Sequence, residues 1–153
     1  MSSTAVAPPE PRVRRKTFTC TTGVEWSGRR SGALSTKDKP LLPVGPDLGA
    51  WSPEDLFVAS VNACTMMGFM TLAEKQHIEV ESYSSEAVGT MEYVDDGYRF
   101  TEVVVRPRVV VVDASDVRVV AEALAEAHKS CLIGNSIRGV VVLEPGITFS
   151  GED

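Results

Sequence analysis

The run "SPEDLFVASVNACTMMGFMTL", Ser52 to Leu72, holds a helix start, an apolar body and a cysteine within one segment. Ser52 suits the N-cap, where its hydroxyl can accept from an otherwise orphaned backbone N–H, and Pro53 suits the first helical position. Glu54 and Asp55 place negative charge where the helix dipole favours it. These signals predict a helix starting at Ser52 and ending near Gln76. From Leu56 onward it is apolar on nearly every side, so it is expected to lie inside the molecule or inside an assembly. Ser60, Asn62 and Thr65 interrupt the run, and no flanking charge asymmetry supports membrane insertion, so a core helix is expected rather than a membrane span.

Outward from this helix, the rest of the chain alternates between strand-like runs and one more helix. Upstream, "KTFTCTTGVEW" and "GALST" surround the turn "SGRRSG", which predicts a hairpin with Cys20 on its first strand. "KDKPLLPVGPDLGAW", with three prolines, is expected to be a loop. Downstream, Glu79 to Tyr93 and Tyr98 to Val112 read as two strands joined at "DDG", with Pro107 pointing to an edge position or a bulge. A second helix is expected from about Ser115 to Ser130. Its apolar stripe runs Val117, Val120, Ala121, Leu124, Ala127, with Cys131 at its buried end. "GVVVLEPGITF" is read as a closing strand. This order predicts an α+β fold with two helices packed on an antiparallel sheet.

At 153 residues the chain suits one domain, expected over 16–153, behind a flexible N-terminal tail over 1–15. The composition, 43% hydrophobic and 24% charged, is that of an ordinary globular protein. A net charge of -6 and a pI near 5.0 argue against a nucleic-acid partner, which needs a face rich in Lys and Arg. The one basic run, "RVRRK", follows "APPEP" and reads as a solvated arm. The tail has no apolar core of a secretory signal. Of the three cysteines, Cys20, Cys64 and Cys131, none forms a CxxC pair. That pattern suits a reducing, cytoplasmic setting in which a thiol that matters is catalytic or redox-sensing.

A cysteine on an apolar helix is ordinarily packing. Here two such cysteines belong to helices that must face the same core, which is the arrangement in which a sulfenic acid formed on one thiol can condense with the other. "SPEDLFVASVNACTMM" resembles the helix of the OsmC/Ohr family (osmotically inducible protein C and organic hydroperoxide resistance proteins), and "AHKSCLIGNSI" resembles its second cysteine segment. "RRSGALST" resembles its first hairpin. The resemblance implies an OsmC-like fold, antiparallel sheets around two core helices, and an intertwined homodimer. It further implies a thiol peroxidase for organic hydroperoxides that uses no metal, haem or flavin and is recycled by a dithiol of the lipoyl-protein type. Cys64 would be peroxidatic and Cys131 resolving. The family's Pro-Glu motif matches Glu54, and its activating arginine matches Arg29 or Arg30.

A guanidinium beside a thiol favours the thiolate, and a carboxylate can hold the fork in place. Glu54 and Cys64 stand ten positions apart, about 15 Å along one helix, so Glu54 is expected to serve the Cys64 of another chain. Met66, Met67 and Met70 are read as core filler that can also line an apolar pocket for the organic part of a peroxide. His128 and Cys131 are spaced i, i+3, but two ligands make no zinc site. The other readings are a dimeric small-ligand-binding protein of the same fold without turnover, and Cys-His acyl transfer with His128 as base.

Overall fold

The computed structural model describes residues 16–151, so the tail expected over 1–15 lies outside the described residues. The chain folds as two units that divide between Ala50 and Trp51. The N-terminal unit is a three-stranded antiparallel sheet of β1 (Gly23–Gly28), β2 (Ser31–Ser35) and β3 (Leu42–Val44), in that order. The β1–β2 hairpin matches the expected one. Its turn is built on a shift of register between Trp26 and Gly28, with Gly28 at φ 131° and Arg29 at φ 50°. Trp26 Nε1 donates to the Arg29 carbonyl at 3.0 Å, which fixes this left-handed corner.

Two expectations fail in this unit. Residues 16–22 form no strand, and Cys20 is exposed there. The Pro-rich segment is not all loop, since Leu42 to Val44 pair with β2 and Pro43 lies opposite Ala33. Proline is tolerated there because β3 is an edge strand, with one side free of ladder bonds.

The second unit runs α1 (Pro53–Lys75), β4 (Val80–Val94), β5 (Gly97–Val111), α2 (Asp116–Lys129), β6 (Val140–Leu143) and β7 (Gly146–Phe149). α1 begins as expected: the Ser52 hydroxyl accepts from Asp55 N–H at 3.0 Å, and the Asp55 carboxylate accepts from Ser52 N–H at 2.9 Å. This reciprocal box satisfies two donors at once. The hydrogen bond from the Ser52 backbone, followed by that from its hydroxyl, holds the Asp55 carboxyl below the ordinary 3.8. The stability drawn from it is therefore present above that value and lost as pH falls through the lower folded value. Ser52→Ala should destabilise the protein by about 1 kcal/mol, read as a lower urea midpoint at neutral pH.

β4 and β5 form a long antiparallel hairpin closed by Asp95 and Asp96, at φ 48° and 66°. Two consecutive left-handed residues make a turn whose twist matches that of the strands. β6 and β7 both pair with β5, and both run parallel to it, so the sheet is mixed rather than wholly antiparallel. The reason is connectivity: α2 carries the chain back along the sheet, and a strand reached by such a crossover runs parallel to the one before it. The closing run expected as one strand is two, separated at Glu144 and Pro145.

Pro107 is consequently not on an edge. It pairs with Ser85 in the central strand β5, between Val105, which faces Leu143 of β6, and Arg108, which faces Gly146 of β7. The missing N–H falls at the break between the two short strands.

Alternate residues of β5, Val103, Val105, Val109 and Val111, are buried. Val61 of α1 packs with Val103 and Val105, while Phe69 and Ala73 of α1 pack with Leu124 of α2 and with Val109 and Val111. On α2 the buried stripe is Val120, Ala123, Leu124 and Ala127. Ala121, expected in it, is exposed, and Ala123 takes its place. By length and composition α1 is apolar enough to cross a membrane; in this fold it packs on α2, β4 and β5.

Candidate active site

Cys64 sits midway along α1 and Cys131 just beyond α2, and the structure brings their side chains together. The two helices touch here through two small residues. Gly68 faces Ala127, and a Cβ placed on the glycine would lie 3.5 Å from the alanine Cβ, an ordinary van der Waals contact. Cys64 lies one turn before Gly68, and Cys131 one turn beyond Ala127, so the packing of these two turns puts both thiols on the facing sides of the helix pair. Leu124 and Val120, buried further along α2, anchor the helix that delivers Cys131.

The environments of the two thiols differ. Cys64 is half-buried, whereas Cys131 is 4% exposed. Burial pushes the Cys131 thiol above its ordinary value of 9.0, and the hydrogen bond and like charge of the neighbouring Cys64 push it further up. The N–H groups of Gly134 and Ile133 pull the other way. Gly134 N–H donates to Cys131 Sγ at 3.2 Å, from the start of the short 3-10 turn Gly134–Ser136. Asn135 N–H in turn donates to the Cys131 carbonyl at 2.9 Å. Cys131 is thus held as a buried thiol with backbone donors aimed at its sulfur.

Of the other residues singled out in the sequence, Glu54 is exposed in the first turn of α1. Its own helix keeps it roughly 15 Å from Cys64. Arg29 and Arg30 form the exposed turn between β1 and β2 in the N-terminal unit. His128 meets Cys131 through its backbone carbonyl, which accepts from Cys131 N–H at 3.3 Å. The described residues contain no group of three or more His, Cys, Asp and Glu that could hold a metal. Met70 packs against the core, while Met66 and Met67 are 38% and 65% exposed on α1. Gly68 and Ala127 touch beside the thiol pair and Gly134 donates to Cys131, and the sequence marks these residues only by their fixed offsets from the cysteines.

The family model for OsmC-like protein matches residues 45–145, which span both cysteines and Glu54. The chain belongs to the OsmC-like family. YmaD of Bacillus subtilis (strain 168) is 27% identical over 140 residues, covering 83% of this chain and 93% of that protein. Among solved structures, an OsmC-like protein of unknown function from Vibrio cholerae superposes with a TM-score of 0.77 at 25% identity, covering 84% of this chain and 99% of the other. An organic hydroperoxide resistance protein OsmC from Legionella pneumophila superposes with a TM-score of 0.66 at 23% identity, covering 88% and 99% of the two chains. That likeness shows the OsmC-like fold.

Proposed function

We propose that this OsmC-like protein is a cysteine peroxidase that reduces organic hydroperoxides, with Cys64 as the peroxidatic and Cys131 as the resolving thiol. The observation that carries the reading is the meeting of a half-buried thiol and a deeply buried one between α1 and α2. The naming of the Legionella relative as an organic hydroperoxide resistance protein supports the choice of substrate.

The Cys64 thiolate attacks the terminal peroxide oxygen, the O–O bond breaks, and the alcohol leaves with a proton. Cys64 is then a sulfenic acid. The Cys131 sulfur attacks it, a disulfide forms and water leaves. An external dithiol, such as a lipoyl group in the cytoplasm, then restores both thiols by exchange and is itself oxidised. The sequence of events suits the environments. While Cys64 is anionic its charge helps keep Cys131 protonated, and conversion to the neutral sulfenic acid removes that opposition when Cys131 has to react. Arg29 or Arg30 is assigned to favouring the Cys64 thiolate, and Glu54 of a second copy to orienting that arginine. Mass spectrometry after one equivalent of cumene hydroperoxide tests the scheme. The intact chain should lose two hydrogens, and a peptide map should join Cys64 to Cys131 with Cys20 free. An unchanged mass would favour a ligand-binding protein of this fold.

The composition of α1 supports a second copy. Within one chain its buried residues are Val61, Thr65, Phe69 and Ala73, a single stripe at spacing four, although the helix is apolar all round. A stable homodimer is expected, and light scattering that gives a monomer mass at micromolar protein would refute it.

Substrate preference should follow from Met67, which is exposed on α1 three residues after Cys64 and on the same helical face. Burying a few methylenes, at about 0.8 kcal/mol each, raises the rate if the contact persists in the transition state. Stopped-flow oxidation of Cys64 should therefore be at least about tenfold faster with cumene hydroperoxide than with hydrogen peroxide, since ~1.4 kcal/mol suffices for that ratio. Equal rates would remove the apolar contact from the scheme.

A further inference from the structure

The sheet's outer face carries a feature that the thiol chemistry does not use. Ser84 lies opposite Arg108, and Glu86 opposite Arg106, across the β4–β5 ladder. Together with Ser85 they line an open cleft of about 320 Å³. The two arginines are held differently. Arg106 is matched by carboxylates: its Nε donates to Glu144 at 2.8 Å, and its Nη1 lies 3.6 Å from Glu86. Arg108 has no carboxylate within 4.0 Å among the described residues.

Arg108 is nonetheless fixed in place. Its Nη1 donates to two backbone carbonyls, those of Pro107 and Glu144, each at 3.1 Å. Its side chain lies over Gly146, its direct partner on β7. A Cβ there would stand 2.8 Å from Arg108 Cδ and 3.2 Å from both Nε and Nη1. The absent side chain of Gly146 is therefore the space that the arginine occupies. With Nη1 committed to carbonyls, the Nε and Nη2 edge keeps its donors, and this edge of a guanidinium matches the two oxygens of a carboxylate.

We infer that the cleft at Arg108 is a binding site for a small monocarboxylate, held bidentately by the Nε and Nη2 edge of a guanidinium that Gly146 and the β6–β7 carbonyls pre-position. Glu86 and Glu144 set the charge preference, because their negative charges oppose a dianion more than a monoanion. The Ser84 hydroxyl, across the strand pair, supplies a further polar group in the cleft.

The test uses the full-length, isotope-labelled protein, titrated with sodium butyrate and, separately, with sodium phosphate at constant ionic strength, while the Arg108 Nε–H signal is followed by NMR. Butyrate should move Arg108 saturably, while Arg118, an exposed arginine paired with Glu122, serves as the control and drifts only linearly. Arg108→Lys keeps the charge but loses the fork, and Gly146→Ala keeps the arginine but displaces it. Each should weaken butyrate at least about tenfold, the scale of one lost charge-assisted hydrogen bond. Parallel, unsaturated drift of Arg108 and Arg118 in the wild-type protein would overturn the site. Tighter binding of phosphate than butyrate would overturn the carboxylate assignment, and undiminished affinity in a folded Gly146→Ala protein would overturn the pre-positioning. The wild-type titration decides the first two points whether or not the variants fold.

Discussion

Cys64→Ser should abolish the fast reaction with cumene hydroperoxide, lowering its second-order rate constant by on the order of a thousandfold or more, because a serine hydroxyl is not ionised at neutral pH and is a far weaker nucleophile than a thiolate. Cys131→Ser should behave differently. The first oxidation should proceed at close to the wild-type rate, and the sulfenic acid on Cys64 should persist long enough to be trapped by dimedone. Intrinsic fluorescence or thiol loss in stopped flow measures the first step, and mass spectrometry the adduct. If Cys64→Ser retained fast peroxide-dependent thiol loss, the assignment of the two thiols would be wrong. The burial of Cys131 adds a pH signature. The folded chain holds this proton more tightly than the unfolded chain, whose thiol titrates near 9.0. Its contribution to stability is thus intact below that pH and declines as pH rises above it through the higher folded value. Cys131→Ser should lose this alkaline component of the stability curve.

Phe69→Ala should destabilise the protein by about 3–5 kcal/mol, a large part of the 5–15 kcal/mol typical of a whole domain. Phe69 is fully buried where α1, α2 and β5 meet, and its ring stacks on Tyr83 of β4 with centroids 5.8 Å apart. Truncation removes the largest buried side chain joining the long helix to the sheet and leaves a cavity that the surrounding strands cannot close. Chemical denaturation followed by far-UV circular dichroism measures the effect. A loss below 1 kcal/mol would mean that the stripe Val61, Thr65, Phe69, Ala73 is not the principal core contact of α1. The variant should also react more slowly with peroxide, since Phe69 lies on the helix that carries Cys64.

The elements that were legible in the sequence are those fixed by neighbours along the chain. Ser52, Pro53 and Asp55 form a cap because the groups that satisfy one another are within three residues. Asp95 and Asp96 make a hairpin turn because the two residues at the tip decide its backbone conformation. The reading failed where a residue's setting depends on segments distant in sequence. Pro107 looked like an edge or bulge residue; it pairs in regular register with Ser85, and it is tolerated in a central strand because β6 and β7 break opposite it. Ala121 and Ala123 are equally apolar, and the angle at which α2 meets α1 and the sheet selects the second. Cys20 lies outside any strand, although its neighbours Thr19 and Thr21 favour one.

For the candidate site the division is similar. The sequence by itself determined which residues can do chemistry: Cys64 in an apolar helix, Cys131 after a second one, Glu54 in an acidic first turn and two arginines in a hairpin. Side-chain type and helical spacing suffice for that. Only the tertiary structure decided that Cys64 and Cys131 meet where α1 packs on α2, and that burial and Cys64 raise the Cys131 thiol while Gly134 donates to its sulfur. It likewise set Arg108 over Gly146. Caps, turns and periodicity arise from hydrogen bonds and sterics within one turn or one strand pair. The distance between two helices, and the dielectric around a thiol between them, arise from the packing of the whole core.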